Sequence, residues 1–180
     1  MKIYLRNIEL VDLEQYLYLN HPKRKFHELN WPYFKQKTEK ELKNYVDLIK
    51  KELLKNKKNS FLFKKLIVDS DDKIIWEVNR YRKSKETLWM EIWVVIFDET
   101  LWWKWIWYIA LKKWINEIFQ VHPKIVRIWL TTWSWNTWMI KLSEKLGLKK
   151  EAVYKKARIV KWKYYDSISY WILREEWKNK

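Results

Sequence analysis

The sequence predicts a mixed α/β (α+β) domain, a mostly antiparallel central sheet of about seven strands flanked by about four helices. Three observations predict it. Apolar strand-like runs recur between turn signals such as Ser70-Asp71-Asp72. Two helical stretches follow the first strand, the second opened by Thr38-Glu39-Lys40-Glu41, a capping box. A strand ending at Phe97 leads into a long helical pattern and then a strand from Ile125, the arrangement of a parallel crossover.

In order, residues 3–10 read as the first strand, and residues 12–19 as a helix with Asp12 as its cap. Residues 21–36 are irregular and aromatic. The helix opened by Thr38 runs to about Leu54, with Leu42, Tyr45, Val46 and Ile49 in helical period. Strands follow at 61–69, 73–82 and 87–97, then a helix over 103–120 that ends near His122-Pro123. A strand at 125–131 precedes a helix over 136–146, with Gly147 at its C′ position. Strands at 151–160 and 164–173 close the chain, joined at Lys161-Trp162. No linker or repeat divides the sequence, so 1–180 is expected to be a single domain.

Sixteen tryptophans and one glycine are present. An average chain carries roughly 7% glycine. Several tryptophans stand where a chain favours positive φ: Trp31 before Pro32, Trp135 in Ser134-Trp135-Asn136, and Trp162 between Lys161 and Lys163. Eleven read as glycine positions: Trp31, Trp76, Trp93, Trp103, Trp105, Trp107, Trp129, Trp135, Trp138, Trp162 and Trp171. Restoring them brings glycine to about the average. A UGA codon that the organism reads as glycine and another code table reads as tryptophan would produce this pattern; engineering is the alternative. Trp89, Trp102, Trp114, Trp133 and Trp177 read as ordinary tryptophans.

Cysteine is absent, which excludes disulfides, thiolate metal sites and a cysteine nucleophile. His21, His27 and His122 show no ligand spacing, so no metal is expected. No apolar run approaches the ~20 residues of a membrane span, and the N-terminus lacks a signal-like apolar region, so a cytoplasmic protein is expected. The net charge is +16, yet only seven of the 38 basic residues are arginine. Lysine excess of this kind fits an AT-rich genome better than a dedicated polyanion surface, although basic chains do bind nucleic acids.

The segment Trp102-Trp103-Lys104-Trp105-Ile106-Trp107-Tyr108 follows a strand and opens a helix. With glycine at 103, 105 and 107 it reads W-G-K-G-I-G-Y. Alternate glycines let a backbone approach a ligand with its N–H groups, and the helix N-terminus adds positive potential, which suits a pyrophosphate. It has neither the Walker pattern nor the dinucleotide G-x-G-x-x-G spacing.

This loop resembles the Gln/Arg-x-x-Gly-x-Gly/Ala loop of the GNAT superfamily of N-acetyltransferases, here with Trp102 at the Gln/Arg position. Glu91-Ile92-Trp93-Val94-Val95-Ile96 resembles the family's fourth strand. Asn136 through Met139 and Glu144-Lys145-Leu146-Gly147-Leu148 resemble its last long helix, and Tyr164-Tyr165-Asp166 and 173–177 its C-terminal strands. The resemblance is nearly end to end and is nearest to the RimJ/RimL-like branch. It implies a GNAT fold, acetyl-CoA as cosubstrate, and direct attack by a primary amine on the thioester. The amine could belong to a protein N-terminus, a polyamine, an amino sugar or an antibiotic. A homodimer is left open.

The resemblance also implies roles. Backbone groups of Val94, Val95 and Ile96 would pair with the pantetheine arm like an added strand. Amides of Trp103, Lys104, Trp105, Ile106, Trp107 and Tyr108 would hold the pyrophosphate, with Trp102 beside them, and Asn136 would contact the cofactor. A strand-four amide would stabilise the oxyanion. Glu91 is the candidate base, through water; otherwise it faces solvent or pairs with a lysine. Met139 stands where many relatives carry serine, so a hydroxyl acid there is not expected. His27 and Tyr33 fall in the segment that shapes the acceptor site in relatives, and packing competes with that role. Trp89, Trp114 and Trp177 read as core or edge aromatics.

Two rival readings stand beside this one. Lysines with stacking indoles characterise sequence-tolerant single-stranded nucleic-acid binders. The tryptophans, however, fall at turns and helix starts rather than alternating along one strand face. Alternatively the chain adopts the fold and is inactive, because indoles at 103, 105 and 107 crowd the loop. The expected place for those three is beside a cleft where strands four and five part.

Overall fold

The protein is described here from a computed structural model. It describes residues 2–28, 32–33, 35–55, 63–82, 86–97 and 106–178, without the side chains of Ile96 and Lys178. The expected glycine positions Trp31, Trp103 and Trp105, together with Trp102 and Lys104, lie outside the described residues.

Seven strands form a sheet in the order β1-β2-β3-β4-β5-β7-β6. They are β1 Tyr4–Arg6, β2 Lys64–Val68, β3 Ile74–Arg82, β4 Trp89–Ile96, β5 Arg127–Trp133, β6 Lys149–Val160 and β7 Lys163–Leu173. The helices are α1 Leu13–Leu19, α2 Glu39–Leu54, α3 Ile106–Val121, α4 Thr137–Lys145 and α5 Arg174–Lys178. The expected sheet and helix order is therefore present, with α5 in addition. The chain gathers into two compact units, Met1–Asn79 with Val94–Lys104, and Arg80–Trp93 with Trp105–Lys180.

In the first unit β1 pairs antiparallel with β2, and β2 with β3. The first strand is shorter than expected. Asp12 accepts hydrogen bonds from both terminal nitrogens of Arg6 (2.7 and 2.8 Å) and from the Glu9 amide (2.7 Å). Meeting all three donors bends residues 10–12 into a 3-10 turn instead of extending the strand. Helix α2 starts as its sequence predicts. The Thr38 hydroxyl accepts from the Glu41 amide, and the Glu41 carboxylate accepts from the Thr38 amide at 2.7 Å. Its buried face is Leu42, Val46 and Ile49.

A buried polar cluster joins α1 to β2 and β3. The Lys64 ammonium donates to the Tyr16 hydroxyl (2.8 Å) and to Glu77 Oε2 (2.9 Å), and Asn79 donates to Glu77 Oε1 (2.7 Å). The Tyr16 hydroxyl in turn donates to Glu77. Rings of Tyr16, Tyr45 and Phe63 lie within 6 Å of the ammonium. Burial opposes both charges, but the partner's charge together with the surrounding hydrogen bonds outweighs it. The Lys64 group is held above its ordinary range and the Glu77 carboxyl below its own.

In the second unit β4 runs parallel to β5, while β5 and β6 each pair antiparallel with β7. Met90, Ile92, Ile128, Leu130, Tyr170 and Ile172 alternate along their strands and are buried, as are Leu111, Trp114, Ile115 and Ile118 of α3. Helix α4 ends at Gly147, whose φ is 72°. The Leu148 amide donates to the Ser143 carbonyl and the Gly147 amide to that of Glu144, both at 2.9 Å, which is a complete Schellman closure. Residues 174–178, expected with the C-terminal strands, turn into α5 instead. The Arg174 guanidinium donates to the carbonyls of Phe119, His122 and Ile125 at 2.6–2.8 Å. Trp177 Nε1 donates to Asn116 at 2.6 Å. These bonds satisfy carbonyls at and beyond the end of α3 that a continuing strand would leave open.

The β6–β7 hairpin bears on the glycine reading. Val160 pairs with Lys163, so Lys161 and Trp162 form a two-residue turn, and their φ values are 47° and 64°. Positive φ at both central residues is what a type I′ turn demands. The Trp162 indole is 95% exposed and has little burial to offset the strain. Trp162→Gly is expected to stabilise the fold by about 1 kcal/mol, or roughly 2–4 °C in thermal midpoint. Differential scanning calorimetry would show it, and an unchanged or lower midpoint would contradict it.

Among the described residues Trp162 is the one tryptophan with positive φ. Trp135 lies in a turn but with ordinary φ, and Trp76, Trp93, Trp107, Trp129, Trp138 and Trp171 lie in strands or helices. For these seven the backbone makes no demand for glycine, contrary to the expectation at Trp135. Trp76 is fully buried in β3.

Candidate functional site

Strand β4 carries Glu91 on the same face as Trp89 and Trp93, because side chains alternate along a strand. Glu91 is only 2% exposed. It does not face solvent, and among the described residues it forms no lysine pair. Its Oε2 accepts a hydrogen bond from the hydroxyl of Tyr81 on β3. Burial pushes the Glu91 carboxyl up to about 7, against the pull of the Thr131 hydroxyl on β5 and the Arg158 charge on β6. A carboxyl that titrates near neutrality can take up and release a proton at working pH.

The pairing of β4 with β5 begins at Trp89–Arg127 and its last pair is Glu91–Trp129, while β5 continues to Trp133. Glu91 therefore stands at the end of the parallel ladder. Around it the indoles pack edge to face, Trp89 on Trp129 with ring centres 5.4 Å apart. The Arg127 guanidinium lies between Trp89 and Trp171, 5.3 and 4.8 Å from the ring centres. Of the other ordinary tryptophans, Trp114, Trp133 and Trp177 are buried.

Helix α3 is described from Ile106 onward, and Ile106, Trp107 and Tyr108 are the first of its described residues. The Trp107 side chain is buried. Its ring packs on that of Trp138 in the first turn of α4, with centres 4.3 Å apart. Hydrophobic burial between α3 and α4 draws the ring into the interior. The Tyr108 ring lies under Lys112 and Lys145, at 5.6 and 5.7 Å.

Asn136 is the N-cap of α4, with Oδ1 accepting from the Met139 amide at 3.1 Å. This structural duty was not foreseen for a residue assigned to the cofactor. Ser143 donates to the Met139 carbonyl at 2.8 Å. In the first unit Val94 and Val95 are buried, β4 ends at Ile96, and Arg24 donates to the Phe97 carbonyl at 3.4 Å. His27 packs its ring on Phe26, and burial lowers its pKa. Tyr33 lies in a turn, half-buried.

Two groups escaped sequence reading. Tyr81 lies in the strand read at 73–82 and Lys64 in the one read at 61–69, and neither was singled out. Nothing short-range marks either one. Among the described residues no cluster of three or more His, Asp or Glu suited to a metal occurs. No described helix is long and apolar enough to cross a membrane.

A family model described as an acetyltransferase (GNAT) domain matches residues 2–149. Among solved structures, a spermidine N-acetyltransferase from Vibrio cholerae in complex with CoA and spermine superposes with a TM-score of 0.78. It is 18% identical, and the match covers 98% of each chain. A GNAT-family acetyltransferase from Bacillus anthracis gives 0.73 at 20% identity, over 97% of this chain and 96% of that one. At such identities the likeness is one of fold. A comparison with curated protein sequences finds no match.

Proposed function

The chain belongs to the GNAT acetyltransferase family, which uses acetyl-CoA as cosubstrate, and from that premise we propose that it acetylates a primary amine by direct attack with Glu91 as base. The observation that carries this reading is the Glu91 carboxyl, buried at the end of the β4–β5 ladder and titrating near 7. The acceptor arrives as an ammonium and gives one proton to Glu91 through water. The neutral amine then attacks the thioester carbonyl. The C–N bond forms, the C–S bond breaks, and the nitrogen's second proton accompanies the departing thiol. Backbone groups of Val94, Val95 and Ile96 hold the pantetheine arm, and a β4 amide receives the oxyanion. The segment 102–108 holds the pyrophosphate with its backbone amides, and Asn136 contacts the cofactor from the start of α4. Residues 1–180 act as one catalytic domain in the cytoplasm, where acetyl-CoA is available, and the affinity is to the RimJ/RimL-like branch.

The acceptor class follows from proton affinities. A base near 7 deprotonates an α-amine of pKa about 8 at a cost of about one unit, but a lysine-like amine near 10.4 at more than three. The net charge of +16 further disfavours steering a polycation. A protein or peptide N-terminus is therefore the favoured acceptor. The second reading is a polyamine, which rests on the fold neighbour whose structure holds spermine. Incubation with labelled acetyl-CoA distinguishes them. Label is expected on peptide N-termini at a kcat/KM at least tenfold above that on spermidine. Label on spermidine alone reverses the acceptor assignment, and label on neither overturns the activity.

We also read the eleven tryptophans as glycine positions, a reading supported by the composition and by the φ of Trp162.

A further inference from the structure

We propose that Tyr81 is a positioning residue for acetyl transfer: its hydroxyl holds Oε2 of Glu91 and so leaves proton uptake to the other carboxylate oxygen. The inference rests on the reading of Glu91 as base. Its geometry is independent of that reading.

A buried carboxylate with no fixed donor would rotate about its last torsion, which is broad for a glutamate. The Tyr81 hydroxyl donates to one named oxygen and removes that freedom. The Tyr81 ring is itself held, packed on the Trp93 ring with centres 5.1 Å apart at an interplanar angle of 60°. Tyr81 is 39% exposed while Glu91 is almost wholly covered. The phenol thus links a buried carboxyl to the protein surface. The other groups acting on Glu91 are the Thr131 hydroxyl from β5 and the Arg158 charge from β6, and Arg158 also donates to Ser167 on β7 at 3.1 Å. Tyr81 is the contributor from β3, and its donation favours the ionised carboxylate.

The test is Tyr81→Phe in the full-length chain, which keeps the ring on Trp93 and removes only the hydroxyl. The Glu91 carboxyl is followed by carbon-13 NMR against pH and assigned by its disappearance in Glu91→Gln. Loss of the donor is expected to raise the Glu91 midpoint by about one pH unit, a tenfold change in proton affinity. The acidic limb of kcat/KM should move up by the same amount, with KM for acetyl-CoA unchanged. A second variant with 3-fluorotyrosine at position 81, a stronger hydrogen-bond donor, is expected to move both the other way. A midpoint unmoved in both variants overturns the proposal, as does a uniform loss of activity at every pH without a shift. An acidic limb that survives in Glu91→Gln defeats the base assignment instead, whatever Tyr81 does.

Discussion

Glu91→Gln is expected to lower kcat by about 10² to 10⁴, the usual worth of a positioned acid or base, while leaving the affinity for CoA intact. In the unsubstituted protein kcat/KM should rise with pH through an acidic limb near 7, as the Glu91 carboxyl ionises. That limb should vanish in the glutamine variant, and the residual activity should recover most with acceptors of low pKa, whose free amine needs no help. The substitution should not unfold the protein, and the sign of its stability effect is opposite to that of a broken contact. The folded-state pKa of Glu91 lies above the ordinary carboxyl value, so between about 4.5 and 7 the native state binds more protons than the unfolded chain. Stability from this group is present at low pH and is lost as pH rises through that window. Glutamine carries no such cost, so the variant should melt higher than the parent at pH 8 and about equally at pH 4. Steady-state kinetics with thermal melts at both values check this. Full activity in the variant would remove Glu91 from the mechanism.

The second large effect concerns the cofactor. The chain with all eleven tryptophans restored to glycine is expected to bind CoA at least tenfold more tightly than the chain as it stands, measured by calorimetry on both. Equal affinity would defeat the idea. Trp107 is buried against Trp138, so its indole packs between α3 and α4. Trp107→Gly alone should therefore leave CoA affinity low and cost a few kcal/mol through the cavity it opens beside Trp138. The larger gain is expected from restoring positions 103 and 105. The gene provides a separate check: UGA at the eleven positions and UGG at Trp89, Trp102, Trp114, Trp133 and Trp177 is expected, and UGG at all sixteen would refute the reassignment.

Much of the fold was legible because its signals are short. Thr38 and Glu41 lie three residues apart and cap one another. Gly147 closes α4 through bonds that span at most five residues. Lys161-Trp162 joins two apolar runs and becomes the hairpin turn between β6 and β7. The early end of β1 was not legible, because it depends on Arg6 meeting Asp12 and Asp72, the latter 66 residues away. Helix α5 was hidden for the same reason, since Arg174 answers carbonyls 49 to 55 residues earlier in the chain.

The candidate site divides along the same line. By itself the sequence determined the order of strands and helices, the position of Glu91 on the fourth strand and a long helix after that strand, since periodicity and capping act within one or two turns of chain. Only the tertiary structure decided that Glu91 is buried rather than exposed, that Tyr81 holds it, that Trp107 turns inward onto Trp138, and that Lys64 and Glu77 form an interior ion pair. Each of these depends on how much water is excluded when distant segments meet, and desolvation is a property of the assembled surroundings that no local run of residues carries.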